Sequence, residues 1–149
     1  PHAVLRSTFI VGFPGETEED FSMLLDFIRE IRFNHLGVFT FSPQEHTDAA
    51  NLTATVDEKT AEIRKETILA LQKDISREIL AEETGKTFTV LVEECIEEEH
   101  ISFGRSYHFA PEVDGLFVVQ SNKGIEPGSL VRALVTHVGE YDLYGDAIN

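Results

Sequence analysis

The sequence predicts an α/β segment followed by an all-β one: a βαβ unit with a long helix, then a small β-barrel. Three observations lead there. A β-branched, aromatic run is broken by Gly and Pro, and helical spacing and a second β-rich run follow it, which in this length makes strand, crossover helix and parallel strand. A longer stretch of helical periodicity then ends at Gly85. From Lys86 onward the chain is all short strands and turns, and a small barrel closes its edges instead of exposing them. The expected division is therefore 1–84 and 85–149. With 149 residues, 42% of them hydrophobic, the chain can bury a core in one medium domain or two small ones.

Val4–Gly12 reads as a buried strand. Gly12-Phe13-Pro14-Gly15 breaks it, and Thr17-Glu18-Glu19-Asp20 matches a capping box. Phe21, Leu24, Leu25, Ile28 and Ile31 then recur at helical spacing, so a helix is expected from Glu18 to Arg32. Leu36–Phe41 is the second strand, and the polar, broken stretch 42–56 is a loop. Asp57 caps the long helix, which sets Ile68, Leu71, Ile75 and Ile79 on one face, with Glu62, Glu66, Glu78 and Glu82 mostly off it. Beyond Gly85, Thr87–Glu94 places Phe88, Val90 and Val92 on one face. Asp114-Gly115 turns into Leu116–Gln120, Glu126-Pro127-Gly128 turns into Leu130–Val138, and Tyr141–Ile148 closes the chain. About five strands are expected in this stretch. A single βαβ unit leaves sheet edges and apolar faces open, so either the two halves pack together or further chain covers them. The start at Pro1 instead of Met points to chain upstream.

No apolar run approaches the length of a membrane-spanning helix, and nothing at the start looks like a signal peptide. One cysteine, Cys95, cannot form an intrachain disulfide or hold a zinc ion or iron–sulfur cluster alone, so a cytoplasmic protein is expected. The acidic run around Cys95 would blunt its reactivity. The six histidines show no i, i+3 or i, i+4 pairing, and no metal site is expected. Net charge is −15: 16 acidic against 8 basic residues through Gly85, and 11 against 4 after it, so the halves carry −8 and −7. Such a surface repels a phosphate backbone and attracts basic partners, although it also serves plain solubility.

Two stretches are candidate sites. Gly12-Phe13-Pro14-Gly15-Glu16-Thr17 sits where a strand's C-terminal end meets a helix, which is where ligands bind in α/β sheets and barrels. It lacks the Lys-Ser/Thr pair of a phosphate loop, and on spacing alone a tight turn shaped by Pro and Gly is the better reading. Glu93-Glu94-Cys95-Ile96-Glu97-Glu98-Glu99 is either a landing surface for a basic partner or a solvated hairpin end that blocks edge-to-edge aggregation.

Arg6-Ser-Thr-Phe-Ile-Val-Gly-Phe-Pro-Gly-Glu-Thr-Glu-Glu-Asp-Phe21 resembles the late barrel strand of the radical-SAM methylthiotransferases. Val38–Ala50 resembles the family's next strand and loop, and Leu71–Ser76 its helix leaving the barrel. Residues 86–149 are similar to the family's C-terminal TRAM domain, an OB-like barrel that holds substrate. The resemblance implies that 1–84 is the end of a partial radical-SAM (β/α) barrel with its linking helix, and 85–149 a substrate-binding domain. It implies S-adenosylmethionine and two 4Fe–4S clusters in the full-length enzyme, with the cluster cysteines upstream. This segment alone is then expected to be inactive, with no catalytic residue of its own. It would keep part of the S-adenosylmethionine pocket at Ile10, Gly12, Phe13 and Pro14.

Two branches of the family compete, one modifying an aspartate of a small-subunit ribosomal protein and one an adenosine of tRNA. Gly104-Arg105-Ser106 and Ala110-Pro111-Glu112-Val113-Asp114-Gly115 resemble the ribosomal-protein branch. Charge votes the same way. Lys86, Arg105, Lys123 and Arg132 are the only cations after Gly85, and contacting six to ten phosphates needs roughly twice as many. The expected substrate contacts are Glu93, Glu94, Glu97, Glu98, Arg105 and Asp114, and the expected partner is a basic small-subunit ribosomal protein, with nucleic acid and membrane disfavoured. The alternatives are tRNA as substrate, or a stand-alone acidic module that binds a basic protein without catalysis.

Overall fold

A computed structural model describes residues 3–148. The chain forms two compact units that divide between Ile75 and Ser76, inside one long helix.

The first unit begins with β1 (Arg6–Val11), α1 (Glu18–Ile31) and β2 (His35–Thr40). The two strands pair in parallel, with Phe9 beside Val38 and Ile10 beside Phe39, as the βαβ pattern requires. Helix α1 starts where the capping box places it: the Thr17 hydroxyl accepts from the Asp20 N–H, and the Asp20 carboxylate accepts from the Thr17 N–H. It ends at Arg32, in the left-handed region at φ 54°, whose N–H donates to the Ile28 carbonyl. Phe9 packs edge-on against Phe27 and Phe33 on one face of the strand pair. On the opposite face Ile10 is 57% and Phe39 60% exposed. The expectation that β1 is buried therefore fails for that face: alternation puts every second residue of β1 there, and no described element of this unit covers it.

Helix α2 (Glu58–Ala81) follows a loop that contains one short 3-10 turn, Asp48–Asn51. Asp57 caps it, its carboxylate accepting from the Thr60 N–H at 3.0 Å. The buried stripe includes Ile68 and Ile75, as the spacing predicts, but also the polar residues Arg64 and Gln72. Gln72 Nε2 donates to the Phe33 carbonyl at 2.7 Å, tying α2 to the end of α1. The helix unwinds through tight turns after Ala81, and Gly85 stands beyond them at φ +83° with its N–H bound to the Val135 carbonyl.

The second unit is a closed barrel, in the order β3-β4-β5-β7-β6. Its strands are β3 (Thr87–Ile96), β4 (Ile101–Arg105), β5 (Phe117–Gln120), β6 (Leu130–Val138) and β7 (Leu143–Ile148). All pairs are antiparallel except β5 with β7. The core joins Leu80 to Phe88, Val90, Phe109, Phe117, Val119, Ala133, Val135 and Leu143. Two glycines let this small barrel curl shut. Gly104 lies opposite Val92 and Gly145 opposite Val135, each beside a register shift, and a Cβ on either would strike the carbonyl of Leu91 or Leu134. A bulge facing a residue without a side chain bends the strand inward without a clash.

Candidate functional site

The turn from β1 into α1 is built around Gly12. Its φ of +77° suits glycine, and a Cβ there would lie 2.6 Å from the Ala61 Cβ, so the turn presses directly on α2. The Glu16 side chain folds back over this turn. Its Oε2 accepts the Gly12 N–H at 2.9 Å, and its Oε1 accepts Arg64 Nη1 at 2.6 Å. Arg64 Nη2 reaches Glu18 at 3.0 Å, and the guanidinium lies 5.2 Å from the centre of the Phe21 ring. The side chains of Arg64 and Glu16 are 7% and 12% exposed. Burial works against the Arg64 charge, but the bonds to Glu18 and Glu16 outweigh it, and its pKa lies above the ordinary guanidinium value. The Glu16 N–H donates to the Phe13 carbonyl, and the Gly15 N–H donates to Ala54 of the following loop.

The turn thus holds Phe13 at the C-terminal ends of the two parallel strands, in edge contact with Phe41 at 5.0 Å. Of the four residues expected in the cofactor pocket, Ile10 and Phe13 are exposed and Pro14 is half-buried. Gly12 is buried and its N–H already serves Glu16, so its part is to shape the turn. Glu16, Ala61 and Arg64 lie outside the expected set. The signal for Arg64 was present: it is a cation one turn from both Ala61 and Ile68, inside an apolar stripe.

The acidic run occupies a hairpin end on the barrel. Glu93 and Glu94 lie on β3, while Glu97 and Glu98 lie in the 3-10 turn that leads into β4, and all four are exposed. Arg105 joins them through a 2.7 Å ion pair with Glu93. Asp114 stands apart, in the loop before β5, where its carboxylate accepts the Ala110 N–H at 2.7 Å. Lys86 is paired with Glu83 at 3.1 Å. Cys95 is half-buried on β3, and among the described residues no group of three or more His, Cys, Asp or Glu side chains could hold a metal ion. No described helix is long and apolar enough to cross a membrane.

A five-stranded closed barrel of this kind has a family counterpart: residues 84–148 match the family described as the TRAM domain. The similarity to known proteins extends over the whole chain. It is 47% identical over 148 residues to proteins of Escherichia fergusonii and Proteus mirabilis, both named ribosomal protein uS12 methylthiotransferase RimO, covering 99% of this chain and 33% of each relative. A relative of the same name from Shewanella oneidensis is 44% identical over 149 residues, covering 100% of this chain and 31% of its own length. The resemblance to methylthiotransferases of the ribosomal-protein type, with a TRAM domain, is borne out. The chain spans about a third of the length of these relatives.

Proposed function

We propose that this chain is the cofactor- and substrate-holding end of a radical-SAM enzyme that methylthiolates an aspartate of ribosomal protein uS12. In this reading residues 1–84 are the end of a (β/α) barrel with its linking helix, and 85–149 dock the substrate in the cytoplasm. The observation that carries the choice of substrate is the charge of the barrel. It holds 11 acidic residues against 4 basic ones after Gly85, and two of those four, Lys86 and Arg105, are already held by Glu83 and Glu93. Such a surface steers a basic protein inward and repels a nucleic acid backbone. It argues against tRNA as substrate. The match along the chain to enzymes about three times as long argues against a stand-alone binding module.

S-adenosylmethionine fits the turn between β1 and α1. Ile10 and Phe13 offer exposed apolar surface at the strand ends, Pro14 flanks it, and Gly12 sets the turn. When bound, that cofactor together with the clusters supplies the radical chemistry and the methylthio transfer. The clusters themselves do not fit this segment, whose single cysteine stands on the barrel among carboxylates. Their ligands belong elsewhere in the full-length enzyme, and this segment by itself is inactive. Its own work is to bind, orient and exclude water.

The test is reconstitution of the full-length protein with its clusters, reductant and S-adenosylmethionine, followed by mass spectrometry of purified uS12 and of bulk tRNA. A methylthio adduct on a uS12 aspartate is expected. An adduct on tRNA alone, or on neither, sinks the assignment.

A further inference from the structure

We infer that Arg64 is a positioning residue for the S-adenosylmethionine loop, acting through Glu16. The inference rests on the reading of Gly12–Gly15 as part of the cofactor pocket. Arg64 sits in the apolar stripe of α2, where a Leu or Met would serve packing at least as well, since a buried ion pair is seldom more stabilising than apolar residues of similar volume. Its Nε is buried without a hydrogen-bond partner among the described residues, a further cost that packing alone does not explain. What the guanidinium does achieve is geometric. One nitrogen holds Glu16, whose other oxygen holds the Gly12 N–H, and the second nitrogen holds Glu18 in the first turn of α1. The chain from Arg64 through Glu16 to Gly12 fixes both ends of the turn that presents Phe13 and Pro14.

Without it, the Gly12–Gly15 turn keeps two glycines at positive φ and loses the bond to Glu16 that selects one conformation. A pocket wall that must be ordered on binding lowers affinity for the ligand it contacts, and leaves other ligands of the same protein unaffected. Arg64 is therefore expected to act on S-adenosylmethionine affinity and not on affinity for the protein substrate.

The experiment measures both affinities on the full-length, cluster-loaded protein, by anaerobic titration calorimetry with S-adenosylmethionine and, separately, with uS12. The variants are Phe13→Ala, Glu16→Gln, Arg64→Met, Arg64→Lys and, as a control, Lys65→Ala, whose ammonium pairs with exposed Glu62. Arg64→Met and Glu16→Gln are expected to raise the Kd for S-adenosylmethionine about tenfold, the scale of one lost charge-assisted bond. The Kd for uS12 stays within about twofold, Arg64→Lys recovers part of the loss, and Lys65→Ala changes neither. Phe13→Ala reads the underlying assignment: an unchanged cofactor Kd there overturns the pocket and this inference with it. A weakened Phe13→Ala beside wild-type affinity in all three Glu16 and Arg64 variants overturns the inference alone. If Arg64→Met is too damaged to bind either ligand, Arg64→Lys and Glu16→Gln decide: equal loss of both affinities in them makes Arg64 merely structural and the inference wrong.

Discussion

Replacing Gly12 with Ala tests the geometry of the turn from two directions at once. The first cost is backbone: an L-residue at φ +77° is disfavoured by about 1–2 kcal/mol. The second is contact: the new methyl lies 2.6 Å from the Ala61 Cβ, and α2 is held in place there by Arg64 and Gln72, so it cannot simply retreat. Overpacking of this kind costs about 1–3 kcal/mol. A smaller gain, about 0.4–1 kcal/mol, comes from the stiffer unfolded chain. The net expectation is about 1–5 kcal/mol of lost local stability. Ala61→Gly separates the parts. Alone it costs about 1 kcal/mol of helix propensity, but combined with Gly12→Ala it removes the clash and leaves the backbone cost. The double variant should therefore fall short of the sum of the singles by about 1–3 kcal/mol, the contact part. Hydrogen exchange by mass spectrometry on peptides covering β1 and α1 reads these values as free energies of local opening. Strict additivity of the two substitutions would falsify the close approach of turn and helix.

Three further expectations follow from the same structure. Thr17→Ala should weaken the start of α1 by about 1 kcal/mol, read by faster exchange of its first-turn amides. The Thr17 side-chain and backbone bonds also hold the Asp20 carboxyl below its usual value of 3.8; with a lowered folded pKa, the associated stability is present above pH 3.8 and disappears as pH falls below it, so an NMR titration of Asp20 should move up toward 3.8 in Thr17→Ala. Phe117→Ala, which empties the largest fully buried site of the barrel among the described residues, should cost about 3–5 kcal/mol and lower the denaturation midpoint of the barrel unit while exchange in β1 and α1 stays as in wild type. Reversing Glu93, Glu94, Glu97 and Glu98 to Lys should slow association with uS12 at low salt by about tenfold or more in stopped-flow traces, and unchanged rates would show the hairpin end to be merely solvated.

Local chemistry made much of the fold legible. The Thr17 box, the Asp57 cap and the period-two run of β3 depend on neighbours in sequence, and each reappears in the structure. Strand β4 was not located, because Ile101-Ser-Phe-Gly-Arg105 follows a run of carboxylates and carries a glycine mid-strand. That glycine belongs there only because the Leu91 carbonyl crowds it, which is a long-range fact. The burial of Arg64 and Gln72 was not foreseen, for a similar reason. Periodicity assigns charged and amide side chains to water, whereas these two find their partners, Glu16 and Phe33, far away in sequence. The Gly12 turn could be seen as a candidate site from its place between strand and helix. That its N–H is spoken for by Glu16 could not, since the bond depends on how α2 is seated.

On the proposed reading, the acidic barrel takes up uS12 and turns away tRNA. The most direct test is the binding of uS12 and of bulk tRNA to the full-length protein, each measured at about 50 mM and about 150 mM salt. The expected result is tight, salt-sensitive binding of uS12 and negligible binding of tRNA at both concentrations. Binding of tRNA that weakens steeply with salt, with uS12 left unbound, would contradict it.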